Sequence, residues 1–482
     1  MVASECAPFA KTGGLGDVVG ALPQALERIG HEVRVVLPFY GNAPRLDTTA
    51  TGKVLRLDLG GRAFEPSLLE ARLPGSKVVV QLVAESSLFG RTTLYGEAGD
   101  YPDNDVRFIL LCRAALEACR ATGFCPDVIH AHDWQAAAVP ILLRWGGGDD
   151  AFFSRTATVF SIHNLAFQGL FPPSTLPLLG LGPERFTVDG LEYYGGLSLL
   201  KGALLSSDMI STVSPSYARE ILEPEFGFGL EGVLATRTDS LVGILNGIDE
   251  AIWDPRTDPV LPTNYGPEAL EGKGECRAEL ESEAGLAPSS DPLLGFVGRL
   301  TDQKGLDLLE NGLPRLLELG FRTVILGTGE PRYHDLLWGL AGRYSRRLRS
   351  YLTFDEELSH RIFAGSDLCL MPSRFEPCGL NQMIALHYGT LPVVTSVGGL
   401  RDTVVDATPA NLRSGIANGF VLGRHDPDAL VDACLRARYV RERRRQWREL
   451  VRTGMEEDFS WARSARDYVA LYERALTRMP RG

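Results

Sequence analysis

Two series of short Val-, Ile- and Leu-rich runs, each followed by a helical stretch, constrain this chain more than any other feature. The first comprises Val33 to Leu37, Val78 to Val83, Val128 to His132, Thr158 to Ile162, Ile210 to Val213 and Val242 to Leu245. The second comprises Leu293 to Val297, Thr323 to Leu326, Leu368 to Met371, Leu391 to Thr395 and Gly419 to Leu422. Apolar runs of this length without polar alternation belong to strands buried on both faces, the condition of parallel strands covered by helices. Between the series lies a polar stretch, 254–291, with several prolines and glycines, in which Glu268 to Ala284 reads as a helix. The pattern predicts two βα domains with a boundary near 248–256. After Phe459 an amphipathic helix carries its apolar positions at Ala462, Ala465, Tyr468, Val469, Leu471 and Tyr472, able to pack on either domain.

Composition narrows the function. Acidic residues exceed basic ones by 61 to 49, a net charge of −12, so neither nucleic acid nor a membrane is an expected partner. No apolar run approaches the ~18 residues that span a bilayer. No basic-then-apolar leader opens the chain, so the cytoplasm is the expected compartment, with a plastid left open. The 8 cysteines form no C-x-x-C pair, which predicts buried thiols rather than zinc ligands or disulfides. Arg441 to Arg448 reads as a solvated helix face.

Polar residues gather where strands end. Lys11-Thr12-Gly13-Gly14-Leu15-Gly16 follows a strand stub, Met1 to Ser4, and precedes a helix expected to start near Asp17. Glycines at a helix N-terminus let backbone N–H groups approach a phosphate, although the spacing is neither G-x-G-x-x-G nor a P-loop and also suits a plain tight turn. Arg299 and Lys304 leave the end of the Leu293 to Val297 strand, placed to hold a diphosphate or to pair with Asp302 or Asp307. Ser373 to Leu380 opens a helix expected to run to Tyr388. There Glu376 either accepts hydrogen bonds from sugar hydroxyls or caps its own helix, and the N–H groups of Cys378, Gly379 and Leu380 face an anion. Gly398-Gly399 follows the next strand. His132-Asp133-Trp134, His163-Asn164 and Asn246-Gly247 end three more strands, which favours one shared site over separate structural roles. No nucleophile elbow, zinc helix or D-x-D pair is present, so a site without metal or cofactor is expected, with cations and helix ends as electrophilic partners.

These motifs carry a resemblance to the bacterial glycogen synthases and plant starch synthases, the retaining α-glucan synthases of glycosyltransferase family 5. It rests on KTGGLGDV at 11–18, HDW at 132–134, IHNLAFQG at 162–169, SPSYAREI at 214–221, ILNGID at 244–249, GRLTDQKG at 298–305 and PSRFEPCGLNQM at 372–383. The resemblance implies two Rossmann-like, doubly wound α/β domains facing across a cleft, the GT-B fold. The implied division is 1–250 for the acceptor side and phosphate loop, 251–459 for the nucleotide-sugar side, and 460–482 for a helix returning to the first domain. It implies glucose transfer from ADP-glucose, with UDP-glucose as the other candidate donor, to an α-1,4-glucan, glycogen or starch.

Carried over to this chain, Lys11 and the Gly16 amide bind donor phosphate within the loop formed by Gly13, Gly14 and Asp17. Arg299 and Lys304 hold the diphosphate. Asp133, His163, Asn246 and Glu376 position the glucosyl unit, with Trp134 and Asn164 beside them. Gly398 and Gly399 serve the same pocket, and Phe354 stacks on the base in place of the family's tyrosine. Ile384 and Val397 stand where the family commonly has an aromatic and a threonine, and the family's first strand begins several residues before the equivalent of Val2. The rival expectation is a catalytically silent homologue that binds glucan or nucleotide as a regulatory or scaffold partner.

Overall fold

The computed structural model describes residues 1–44, 46–97, 99–146 and 150–478. The chain divides into two compact units, Met1–Gly247 with Trp461–Gly482, and Ile248–Ser460.

Unit 1 is organised around the first residues. Val2 bridges in parallel to both Val36 and Ala131, and its N–H and C=O bond His130 O at 2.9 Å and His132 N at 3.0 Å. It thereby joins two four-stranded sheets. One runs Arg34–Pro38, Val79–Ala84, Ser67–Arg72, Thr49–Val54, and the other Val128–His132, Ala157–Ile162, Met209–Thr212, Leu241–Gly243. The second is parallel throughout, whereas Ser67–Arg72 and Thr49–Val54 run antiparallel at the far edge. Met1 to Ser4 is thus a pair of bridges rather than a regular strand.

Helices Gly14–Arg28 and Trp461–Arg478 close one face together. Val18, Leu22, Ala25 and Leu26 of the first meet Trp461, Ala465, Tyr468, Leu471 and Ala475 of the second, a stripe at helical spacing. The expected stripe is partly corrected, since Ala462 is exposed while Trp461 and Ala475 are buried. Residues 479–482 of the terminal segment lie outside the described residues.

Unit 2 holds one sheet in the order Leu348–Tyr351, Arg322–Leu326, Leu293–Val297, Leu368–Met371, Leu391–Val394, Phe420–Val421. Every pair is parallel. Numbered along the chain this is 3-2-1-4-5-6, the doubly wound order whose switch point lies between the first and fourth strands. Those two strands lead to Arg299 and to Glu376. The expected Glu268 helix is Glu271–Glu283. The expected arginine face is not one surface: Arg441 ends one helix and Arg444 starts the next, and Arg441 Nε donates to Asp367 at 3.0 Å. Six of the cysteines are buried, Cys119 is half-buried and Cys125 is exposed. No described helix is long and apolar enough to cross a membrane.

Candidate active site

In unit 1 the helix starts at Gly14, so Gly14 and Gly16 lie in its first turn instead of the loop before it, and Gly13 is an extended N-cap without a side-chain bond. The Gly16 N–H closes the turn onto Gly13 O at 3.1 Å. Lys11 Nζ pairs with Asp17 Oδ1 at 2.7 Å, both side chains one-third exposed. What shapes this loop is a residue that spacing does not reveal. Glu5, buried, accepts from Thr12 N at 2.6 Å, Gly13 N at 3.2 Å, Thr12 Oγ1 at 2.7 Å and Tyr95 Oη at 2.6 Å.

At the strand ends of the same unit, Asp133 sits at φ +56, a left-handed conformation uncommon for a non-glycine residue. Its Oδ1 accepts from His163 N at 2.7 Å. Burial pushes its carboxyl up to about 7 against the opposing pull of the His163 and Asn164 backbone N–H groups. His163 Nε2 meets His132 Nδ1 at 3.0 Å. Burial lowers His163 to about 4 and drives His132 and His130 well below the usual imidazole value. Asn164 Oδ1 accepts from Ala166 N at 3.0 Å. Trp134 packs edge-on to Phe108 at 5.1 Å and near Phe171 at 5.5 Å, so its ring belongs to the core. Asn246 is buried, and its Oδ1 has no hydrogen-bond partner.

In unit 2, Lys304 Nζ lies 2.5 Å from Glu376 Oε2, which also accepts from Ser373 Oγ at 3.0 Å. Glu376 therefore does not cap its helix. That helix begins at Asn381, not at Cys378, and ends at His387, because Gly379 is held at φ +73, outside helical space. The alternative pairing of Arg299 and Lys304 with Asp302 or Asp307 is also absent. Asp302 binds Tyr333 and Arg332, Asp307 binds Arg374, and exposed Arg299 donates to Gln303 Oε1 at 3.0 Å.

Close backbone approach fixes this cluster. A methyl on Gly305 would lie 2.0 Å from Pro372 O, one on Gly398 2.0 Å from Glu376 O, and one on Gly399 2.0 Å from Cys378 O. Arg374 N donates to Gln303 O at 2.9 Å, tying the 373–376 loop to the lysine turn. Cys378 is buried, and its carbonyl accepts from Gln382 Nε2 at 3.0 Å, as does that of Gly379. Phe354 is 78% exposed, an uncovered aromatic face at the sheet's edge. Within unit 2 the fold brings Arg299, Lys304, Glu376, Gly398 and Gly399 to adjoining strand ends.

Residues 1–236 match the starch synthase catalytic domain, and residues 291–438 match glycosyl transferases group 1. Glycogen synthase 2 of Geobacter sulfurreducens is 49% identical over 479 residues, covering 98% of each chain. The chain belongs to the glycogen and starch synthase family. Another member, the glycogen synthase of Geotalea daltonii, is 45% identical over 100% of this chain and 99% of its own. The catalytic domain of Arabidopsis thaliana starch synthase IV, solved bound to ADP and acarbose, superposes with a TM-score of 0.92 at 36% identity, covering 99% of this chain and 98% of that one. Sucrose-phosphate synthase from Thermosynechococcus elongatus, 17% identical with a TM-score of 0.60, shares the fold. Membership makes this a glucosyltransferase of GT-B fold, the fold class and activity expected from the motifs.

Proposed function

We propose that the enzyme transfers glucose from ADP-glucose to the 4-hydroxyl at the non-reducing end of an α-1,4-glucan, glycogen or starch, retaining configuration at the anomeric carbon. UDP-glucose is the rival donor. Unit 1 takes the acceptor, unit 2 the nucleotide sugar, and the reaction runs in the cytoplasm. The observation that carries this reading is the 2.5 Å contact between Lys304 Nζ and Glu376 Oε2 at the switch point of unit 2.

A cation and a carboxylate there suit the two ends of one substrate. Arg299 and Lys304, with Lys11, bind the diphosphate and stabilise it as it leaves with the electron pair of the anomeric C–O bond. Glu376 accepts hydrogen bonds from ring hydroxyls, and the amides of Cys378, Gly379 and Leu380 add donors. Asp133 and Asn246 orient the glucosyl unit, and the His163 carbonyl faces the charge developing at the anomeric carbon. The departing phosphate oxygen takes the proton of the 4-hydroxyl as the new C–O bond forms on the same face. Phe354 stacks on the base. That starch synthase IV is solved with ADP and acarbose supports a nucleotide and a saccharide as ligands.

Glucose incorporation into glycogen from ADP-glucose and UDP-glucose, measured in chelator, tests this. Glu376→Gln and Lys304→Gln each lose about 100-fold or more in kcat, in line with removal of one transition-state partner. Variants that keep a third of the activity overturn the assigned roles. A folded wild type that binds nucleotide without incorporation would leave the silent homologue.

A further inference from the structure

Among the described residues only three other than glycine have positive φ: Asp133, Tyr194 at +47 and Phe228 at +49. Asp133 is at the candidate site, and the other two are surface aromatics of unit 1. For a bulky residue this backbone region is costly, and such strain persists where something other than stability selects the side chain. Tyr194 and Gly195, at φ +83, form the two-residue loop between Glu192–Tyr193 and Gly196–Ser198, with Tyr193 paired to Gly196. That is a type I′ hairpin, where Asn or Gly is the ordinary choice at the Tyr194 position. Tyr194 is nevertheless 85% exposed.

The hairpin and the 228–229 turn are held together. Tyr193 Oη donates to Phe228 O at 2.5 Å, and Gln168 Nε2 donates to the same oxygen at 2.9 Å. An added methyl at Gly229 would lie 3.4 Å from Tyr194 Cε2, so the hairpin tip lies against the 228–229 turn. The Tyr193 and Tyr194 rings meet edge to face at 4.7 Å, and Phe228 is 37% exposed. This small sheet is anchored to the strand-end cluster, because Leu170–Phe171 pairs with Gly196–Ser198 and Phe171 packs on Trp134.

Resting on the activity proposed above, we infer that Tyr194 and Phe228 form a stacking platform for glucose residues of the acceptor chain beyond its reacting end. Aromatic faces suit the apolar C–H face of a pyranose while its hydroxyls stay in water. The surroundings favour a neutral polyol over an anion. Glu192 accepts from Gly195 N, and Glu231, beside Gly227, has a buried Oε2 without a hydrogen-bond partner.

Tyr194→Asn and Phe228→Asn remove each ring while relaxing the backbone, so a purely structural role predicts lower stability and the platform predicts unchanged or higher stability. Retardation in glycogen-containing native gels and KM for glycogen and for maltotriose are measured with both donors. The double variant is expected to lose about 10-fold or more in glycogen affinity, with kcat and donor KM unchanged and a smaller effect on maltotriose. Tyr194→Trp retains binding. A double variant retarded like wild type while still turning over maltotriose overturns the platform alone. Wild type that neither binds glycogen nor transfers glucose overturns the activity as well.

Discussion

Glu5 Oε2 lies 2.6 Å from the backbone nitrogen of Thr12. A buried carboxylate thus occupies the amides at the mouth of the lysine-glycine loop, and the helix begins one residue beyond them. Glu5→Gln keeps the shape but turns an acceptor into a donor facing donors. We expect a loss of about 2 kcal/mol in urea unfolding and a rise in donor KM of about tenfold with a smaller change in kcat, since the residue sets the loop and does not touch the reacting atoms. An unaltered donor KM in a destabilised variant would reduce Glu5 to a packing role.

Stability should depend on pH with a definite sign. His163 titrates near 4 in the fold, below the ~6.5 of an unfolded imidazole. The unfolded chain therefore binds the extra proton as pH falls from about 6.5 to 4, and stability drops across that window by up to ~1.4 kcal/mol per pH unit for each such histidine. His132 and His130 act in the same direction. Asp133 opposes them. Its pKa is raised to about 7, so its contribution is full below the unfolded value of ~3.9 and is lost as pH rises through 7. Urea midpoints from pH 4 to 8 should rise less steeply with pH between 4 and 6.5 in His163→Asn. Asp133→Asn should steepen that rise and remove the loss above it.

Gly398→Ala places a methyl 2.0 Å from Glu376 O at φ +43. Strain and collision together should cost about 2–4 kcal/mol in unit 2. Because the collision displaces the Glu376 backbone, kcat should fall at least 30-fold. Calorimetry and turnover on one preparation check both, and an active variant of native stability would mean that the 376–378 segment moves freely.

Phe354→Ala should leave thermal stability unchanged, since the ring is 78% exposed, and should raise the KM of either donor about 5- to 10-fold through lost stacking. Phe354→Tyr should match wild type. Equal donor KM in all three proteins would remove the base from this surface.

The parallel strands were legible because burial on both faces writes a continuous Val, Ile and Leu run, and Leu293 to Val297 stands in the structure at the residues read from the sequence. The starts of two helices were not. Gly14 and Gly16 are poor helix formers, yet they open the first helix, and Cys378 to Leu380 stay outside theirs because Gly379 adopts positive φ. Lys304 and Glu376 were marked by their motifs, whereas their 2.5 Å contact depends on strand order, which spacing along the chain does not express. Glu5 carried no signal beyond an acid isolated in an apolar segment. Tyr194 and Phe228 passed unmarked because an unusual backbone angle is not written in residue type, although an aromatic before Gly-Gly in a short hairpin was the available clue.

The helix Trp461–Arg478 has a consequence for how the molecule is made. It supplies half of the apolar stripe that covers Gly14–Arg28, yet it is translated after all of unit 2. Residues 248–460 can therefore finish folding on the ribosome first, while Gly14–Arg28 waits with its face uncovered until Trp461–Arg478 has been made. A message broken anywhere within unit 2 would release a product whose first 247 residues expose that face, a ready mark for proteolytic clearance.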